Sequence, residues 1–336
     1  MHTDHLPLQP ISKNLIRFSW ICLVYVVFVI VWGAFVRASG SGAGCGSHWP
    51  LCNGQILPKV SGTAIWIEFS HRITSGFSLM MVGSLFFWVR GGVGRRGSWR
   101  QKTAQGRAAG WALVFILGEA AVGAVLVLQH LVAGDSSLAR AMVIALHLAN
   151  TLFLVAALVW TAMALSVAGA PGPDQSLGQP GQDGRPLAVA LFYRLRRVAS
   201  LFLAVGASGA IVALGDTLFP SKDLFSGMAQ DFSASAHFLV RLRVVHPFLA
   251  VGTALALWSV LISIEKVNKN GGLVSDSAFY VRFFLIAQVV LGIVNWLLLA
   301  PHWLQLLHLA GSNALWVSVI ALLFALNRIA KATPVG

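Results

Sequence analysis

A chain of 336 residues that is 57% hydrophobic and only 10% charged lacks the polar surface a soluble enzyme needs. A net charge of +13 is compatible with a nucleic-acid partner, but the bases are distributed as a membrane topology would place them, so none is expected. Apolar runs near the ~20 residues needed to cross a bilayer recur along the whole chain. Eight are read, at 16–37, 64–89, 108–130, 139–166, 198–219, 238–264, 279–300 and 304–327. With no water in hydrocarbon to satisfy backbone groups, each must be a helix, so the expected fold class is an all-α polytopic membrane protein.

The stretch before Ile16 is short and has neither an Arg- and Ser-rich transit pattern nor a signal cleavage site, so a bacterial inner membrane is the default location. The first span carries Gly33-Ala34-Phe35-Val36, and Arg37 follows it. The next loop holds Cys45 and Cys52 within a glycine-rich stretch that does not make a phosphate loop, because no Gly-Lys-Ser or Gly-Lys-Thr follows. In an oxidising compartment this pair reads as a disulfide, with a redox-active or substrate-contacting pair as the sharper alternative. Cys22, inside the first span, reads as packing.

The second span carries Glu68, His71 and Arg72, and a basic run from Arg90 to Arg107 follows it. The third holds Phe115, Glu119 and Gly123, and the fourth holds His147. A Pro-, Gly-, Gln- and Asp-rich stretch from Ala170 to Pro186 then reads as a linker. It divides the chain into an N-terminal half over 1–169, a cytoplasmic linker over 170–196 and a C-terminal half over 197–336. The sixth and eighth spans carry His246 and His308, with Arg241 and Arg243 just before His246.

Placing the N-terminus in the cytoplasm puts most Lys and Arg on the inner side, including Lys13, Arg17, the Arg90–Arg107 run, Arg194, Arg196, Arg197, Lys269, Arg282 and Arg328. Eight spans then return the C-terminus to the same side, so both termini are expected to be cytoplasmic. Arg37, Arg72, Arg241 and Arg243 run against this bias and crowd the outer edge. They read as anion partners, either for haem propionates or for lipid phosphates.

The two halves resemble each other. Leu146-His147-Leu148-Ala149-Asn150 matches Leu307-His308-Leu309-Ala310-Gly311, Phe115, Glu119 and Gly123 match Phe284, Gln288 and Gly292, and Gly33-Ala34 matches Gly209-Ala210. Four spans per half keep both halves in the same direction across the membrane, so the expected architecture is two tandem, pseudo-symmetric four-helix bundles.

A lone histidine in a membrane is more often a helix–helix hydrogen bond than a ligand. Four of them, at matching depths near the outer leaflet and two per half, point instead to two bis-histidine haem sites. Zinc fits less well, because no acidic or thiol ligand lies at the expected spacing. The halves also differ: Glu68 lies three residues before His71, where the other half places Arg243 before His246. A carboxylate at that depth is costly unless it interacts, so the Glu68 half reads as the site of chemistry and the Arg243 half as the holder of a permanent cofactor. Pairing of Glu68 with Arg72 as structural glue is the plainer alternative, and Glu119, matched by Gln288, reads first as polar packing.

Trp49-Pro50-Leu51-Cys52-Asn53-Gly54 in the cysteine loop, Glu68-Phe69-Ser70-His71-Arg72, and the three later histidines in order resemble the haem A synthase family over about residues 16–328. That resemblance implies oxidation of the C8 methyl of haem O to the formyl of haem A, for cytochrome oxidase assembly. It implies substrate haem at His71 and His147, haem b as cofactor at His246 and His308, and a Cys45–Cys52 disulfide. Glu68 would then be the catalytic group, accepting a proton or stabilising positive charge. The sequence shows no flavin or nicotinamide site, so an external electron-transfer partner is expected, with a haem O synthase as the supplier of substrate; a homo-oligomer stays open. Two rival classes remain: a dihaem cytochrome b passing electrons from quinol, and a haem transporter or chaperone without catalysis.

Overall fold

The computed structural model describes residues 11–59, 62–92, 103–169, 185–267 and 272–331. Among them the order is α1 (Lys13–Ala38), α2 (Thr63–Gly92), α3 (Ala104–Leu128), α4 (Leu138–Ala168), α5 (Arg185–Leu218), α6 (Leu224–Asp231), α7 (Phe238–Arg241), a 3-10 turn (Leu242–Val244), α8 (Val245–Val267), α9 (Leu273–Leu297) and α10 (His302–Lys331). Eight helical segments are long and apolar enough to cross a membrane, α7 to α8 counting as one, and the chain is a multi-pass all-α membrane protein.

Capping residues set several starts. Ser12, Thr103 and Ser137 each accept a backbone N–H from the first turn of α1, α3 and α4, and Asp223 forms a reciprocal capping box with Ser226 on α6. The sixth span departs from a plain helix. His237 caps α7, a 3-10 turn follows, and α8 restarts at Val245. Pro247 then falls in the first turn of α8, where its missing N–H breaks no intrahelical bond. The short α6 was invisible to a hydropathy reading because it is too short to register as a span.

One boundary needs correction. The expected linker over 170–196 ends early, since α5 begins at Arg185 and runs unbroken through Arg194, Arg196 and Arg197. Pro186 sits in the first turn, where proline is tolerated, and no glycine interrupts the next turns. The rest of that linker, and Arg95, Arg96, Arg100, Lys102 and Lys269, lie outside the described residues.

Helix α1 packs on α2 and α4, and α3 packs on α2 and α4, so these four surround one space. Likewise α5 packs on α8 and α10, and α9 on α8 and α10. The two sets meet where α4 and α1 touch α5 and α10. Helix α10 is the most enclosed of the spans, with 61% of its apolar window buried against 11% for α3. Leu158, Leu165, Leu195, Leu261, Leu322 and Leu326 are fully buried in the main core. Trp316 of α10 stacks on Phe202 of α5 at 5.1 Å and donates its indole N–H to the carbonyl of Leu152 on α4 at 2.8 Å.

Candidate functional site

Each half-set of helices presents two half-buried imidazoles toward its interior. His71 on α2 and His147 on α4 lie within electrostatic range of each other, as do His246 on α8 and His308 on α10. Three of the four rings rest against a glycine of a neighbouring helix. A Cβ added at Gly33 would stand 2.8 Å from Cε1 of His71, one at Gly209 3.0 Å from Cε1 of His246, and one at Gly292 3.2 Å from Cε1 of His308. Gly33 and Gly209 are the repeat-related pair read from the sequence, and each meets the repeat-related histidine.

The remaining contacts of the rings are polar. His147 Nδ1 is 3.0 Å from Glu119 Oε2, and His246 Nδ1 lies 3.1 Å from Ser208 Oγ and 3.2 Å from the Val205 carbonyl. His308 is met by the Gln288 side-chain amide, whose nitrogen is 3.2 Å from Nδ1 and 3.1 Å from Nε2. Nδ1 of His71 is buried with no hydrogen-bond partner among the described residues, and Nδ1 of His147 is likewise buried without a hydrogen bond of good geometry, though the Glu119 carboxylate stands 3.0 Å away. The polar groups beside Nδ1 of His147 and His246 would leave Nε2 of each ring open to serve as a ligand. Among the described residues no cluster of three or more His, Cys, Asp or Glu side chains is set for a bare metal ion. Paired imidazoles with glycine clearance, two of them with a buried Nδ1 that makes no hydrogen bond, fit an iron already held in a porphyrin.

Above the first histidine pair stands a clasp. Cys45 and Cys52 are joined by a disulfide, and they pack with Phe69 and Ile65 at the start of α2. Gly44 brings the loop so close that a Cβ there would be 2.5 Å from the Ala64 carbonyl oxygen. Glu68, 4% exposed, accepts the Cys45 backbone N–H on Oε2 at 2.8 Å and pairs with Arg72 through Oε1. Arg72 also donates to the carbonyls of His48 and Leu51. One carboxylate and one guanidinium therefore tie the disulfide loop to the helix that carries His71.

Arg243, in the repeat position of Glu68, forms a clasp of reversed polarity. Its Nε is 2.8 Å from Asp216, its Nη1 3.7 Å from Asp231 and 3.2 Å from Ser221 Oγ, and its Nη2 donates to the carbonyls of Gly215 and Phe219. Burial raises the Asp231 carboxyl above the usual carboxylate range, with Arg243 opposing that shift. Arg37 donates to the Ala213 carbonyl at 2.6 Å, Thr217 Oγ1 at 2.7 Å and Gln305 Oε1 at 3.0 Å, bridging α1 to α5 and α10. Three of the four arginines expected to meet propionates or lipid phosphates are thus engaged with protein acceptors. Arg241 is exposed and lines an open cavity of about 500 Å³ with Asp231, Phe232 and Phe238.

The sequence matches the COX15-CtaA family of cytochrome oxidase assembly proteins over residues 16–320, which includes His71, His147, His246 and His308, the disulfide pair Cys45 and Cys52, and Glu68. The chain belongs to this family. It is also 39% identical over 333 residues to a Thermus thermophilus protein named protohaem IX farnesyltransferase, covering 97% of this chain and 51% of that one. Proteins named haem A synthase from Bacillus licheniformis and Staphylococcus saprophyticus are 44% and 46% identical over 78 and 71 residues. Those stretches cover 23% and 21% of this chain, and 26% and 24% of the relatives. The chain spans about half the length of the farnesyltransferase-named relative it matches.

In this member of the COX15-CtaA family the sequence reading missed the partners of the imidazoles. Glu119 was read as packing, yet it meets His147, and Gln288 meets His308. Glu119 and Gln288 are repeat-related, as are the two histidines they contact, so a pairing shared by both halves was available as a signal. Ser208, one residue before Gly209, carried no comparable mark.

Proposed function

We propose that this COX15-CtaA protein is a haem A synthase: it oxidises the C8 methyl of haem O to a formyl group, in a bacterial inner membrane with both termini cytoplasmic. Written as a half-reaction, methyl plus water gives formyl plus four protons and four electrons. Resident haem b, held by His246 and His308, would supply one-electron transfer. The substrate haem O would be held by His71 and His147. The observation that carries the reading is the unequal surroundings of two matching histidine pairs: only the first lies below a buried carboxylate tied to a disulfide loop.

The chain's own groups support a division of labour. Glu68 lies one turn before His71, where Arg72 and the Cys45 N–H both donate to its carboxylate. From there Oε2 stabilises positive charge developing on a substrate carbon, or takes a proton released from it. Gly33 lets the His71 ring sit against α1. Electrons leave through an external partner. The farnesyltransferase name of the relative that holds a whole counterpart of this chain in half its length favours a haem O synthase as the supplier of substrate.

A dihaem cytochrome b would use the same histidines but has no need of a clasped disulfide loop beside one pair only. Co-expression with a haem O synthase, followed by mass analysis of extracted haem, separates the two. Haem A is expected; its absence, with both sites loaded and a reductant system present, overturns the assignment.

A further inference from the structure

Helices α3 and α4 of the first half, and α9 and α10 of the second, carry the same contact with different chemistry. Glu119 Oε2 stands 3.0 Å from His147 Nδ1, whereas the repeat-related Gln288 offers an amide nitrogen to His308. The surrounding residues are exchanged to match. Asn150, three residues after His147, donates to Glu119 Oε1 at 2.5 Å and to the Phe115 carbonyl at 2.8 Å. Its amide fits because residue 118 is glycine, where a Cβ would come 2.8 Å from Asn150 Oδ1. In the second half the place of Asn150 is taken by Gly311, and a Cβ there would meet Gln288 Oε1 at 2.7 Å. The place of Gly118 is taken by Ala287. Gly118–Asn150 and Ala287–Gly311 are therefore complementary fillings of one slot, the first built around a carboxylate and the second around an amide.

We propose that Glu119, held by Asn150, is a positioning residue that makes His147 a more basic, more electron-donating iron ligand than His308, whose partner Gln288 is neutral. A carboxylate accepting the Nδ1 proton fixes the tautomer and raises the donor strength of Nε2. Its negative charge in a low-dielectric interior also favours the more highly charged, oxidised iron. The first site is thereby biased toward the ferric side relative to the second, which gives two otherwise matching sites different potentials. This rests on the haem-ligand reading of His147 and His308, but not on the identity of the product.

The test is an optical redox titration of the purified haem-loaded protein, with electron paramagnetic resonance of the ferric form. Waves are assigned by comparison with His308→Ala. Glu119→Gln should move the first-half wave to higher potential and change its ferric signal, leaving the second-half wave in place. Where that variant fails to load haem, Gln288→Glu with Ala287→Gly and Gly311→Asn should move the second-half wave to lower potential. Unmoved waves in a loaded variant overturn the proposal, as does a shift in the opposite direction. Failure to form haem A alongside the expected shifts would count against the proposed reaction and leave this inference standing; absence of haem from the unaltered protein would overturn both.

Discussion

Replacing Gly33 by alanine separates a histidine that merely packs from one that holds a fixed ligand position. The added Cβ would stand 2.8 Å from Cε1 and 3.1 Å from Nε2 of His71. Carbon contacts settle at about 3.5–4.0 Å, so the ring must retreat by roughly 0.7 Å. Overpacking of that kind costs about 1–3 kcal/mol, while glycine-to-alanine in a helix returns about 0.5–1 kcal/mol. In haem-free protein the imidazole can rotate aside, and the stability of Gly33→Ala should stay within about 1 kcal/mol of the parent. In loaded protein the ring is held by iron, the full clash is felt, and haem at the first pair should be lost while the second pair stays loaded. Haem-to-protein ratio, the optical spectrum and thermal unfolding with and without haem report these terms. Gly209→Ala, with 3.0 Å to His246, should deplete the second pair, and Gly292→Ala, with 3.2 Å to His308, should do so more mildly. Gly123→Ala meets nothing within 4 Å and serves as the control. Full haem content and an unchanged spectrum in Gly33→Ala would refute the placement of His71 as a ligand.

Glu68→Ala should abolish conversion of haem O while haem b at the second pair is retained; loss of all haem would make the residue structural. Cys45→Ala with Cys52→Ala opens a short loop whose closure contributes about 2–3 kcal/mol to local order, so hydrogen exchange at residues 44–55 should quicken. Unchanged exchange there would show that Glu68 and Arg72 hold the loop unaided. Arg243→Ala leaves the half-buried Asp216 without its partner, a loss of up to about 3–5 kcal/mol, whereas Arg243→Met with Asp216→Leu should restore part of it. Thermal unfolding of both variants in detergent decides, and equal losses would remove the ion pair from the account.

The spans were legible because hydrophobic length is a one-dimensional property, read without knowing any neighbour. The repeat was legible for the same reason: Gly33 and Gly209, or His147 and His308, sit in the same order in each half. Contacts across helices were a different matter. Glu119 and His147 lie on antiparallel neighbours, and whether they share a level depends on the length and path of the α3–α4 loop. That loop is closed by Arg140, which donates to the carbonyls of Ala133 and Asp135, a device no spacing rule reveals. The arginines were hard to place for a related reason. A charge near a membrane edge shows that an anionic or carbonyl acceptor is near, not which one. For Arg72 it is Glu68 and the disulfide loop, for Arg243 it is Asp216, and for Arg37 it is the other half of the chain.

Arg37 explains why the two histidine pairs are better regarded as one device than as two copies. It follows Gly33 by four residues on α1, so it belongs to the helix against which His71 rests. Its acceptors on α5, Ala213 and Thr217, follow Gly209 by four and eight residues, on the helix against which His246 rests. Its third acceptor, Gln305, precedes His308 by three residues and in turn donates to the Ala300 carbonyl at the entrance to α10. Further along α10, Trp316 bonds to the Leu152 carbonyl, five residues past His147. Each of the four imidazoles therefore sits on, or against, a helix that is bonded directly across the boundary between the halves. Hydrogen bonds to a charged group contribute about 1.5–3 kcal/mol each, offset by the cost of burying the guanidinium, and removing their neutral acceptors one at a time would leave a buried charge less satisfied. A joint across the boundary would fix the separation of the two pairs, as electron exchange between them would require under the proposed function. It also means that a substitution at the bridge should disturb both sites together, whereas one at Gly33 or Gly209 disturbs only its own.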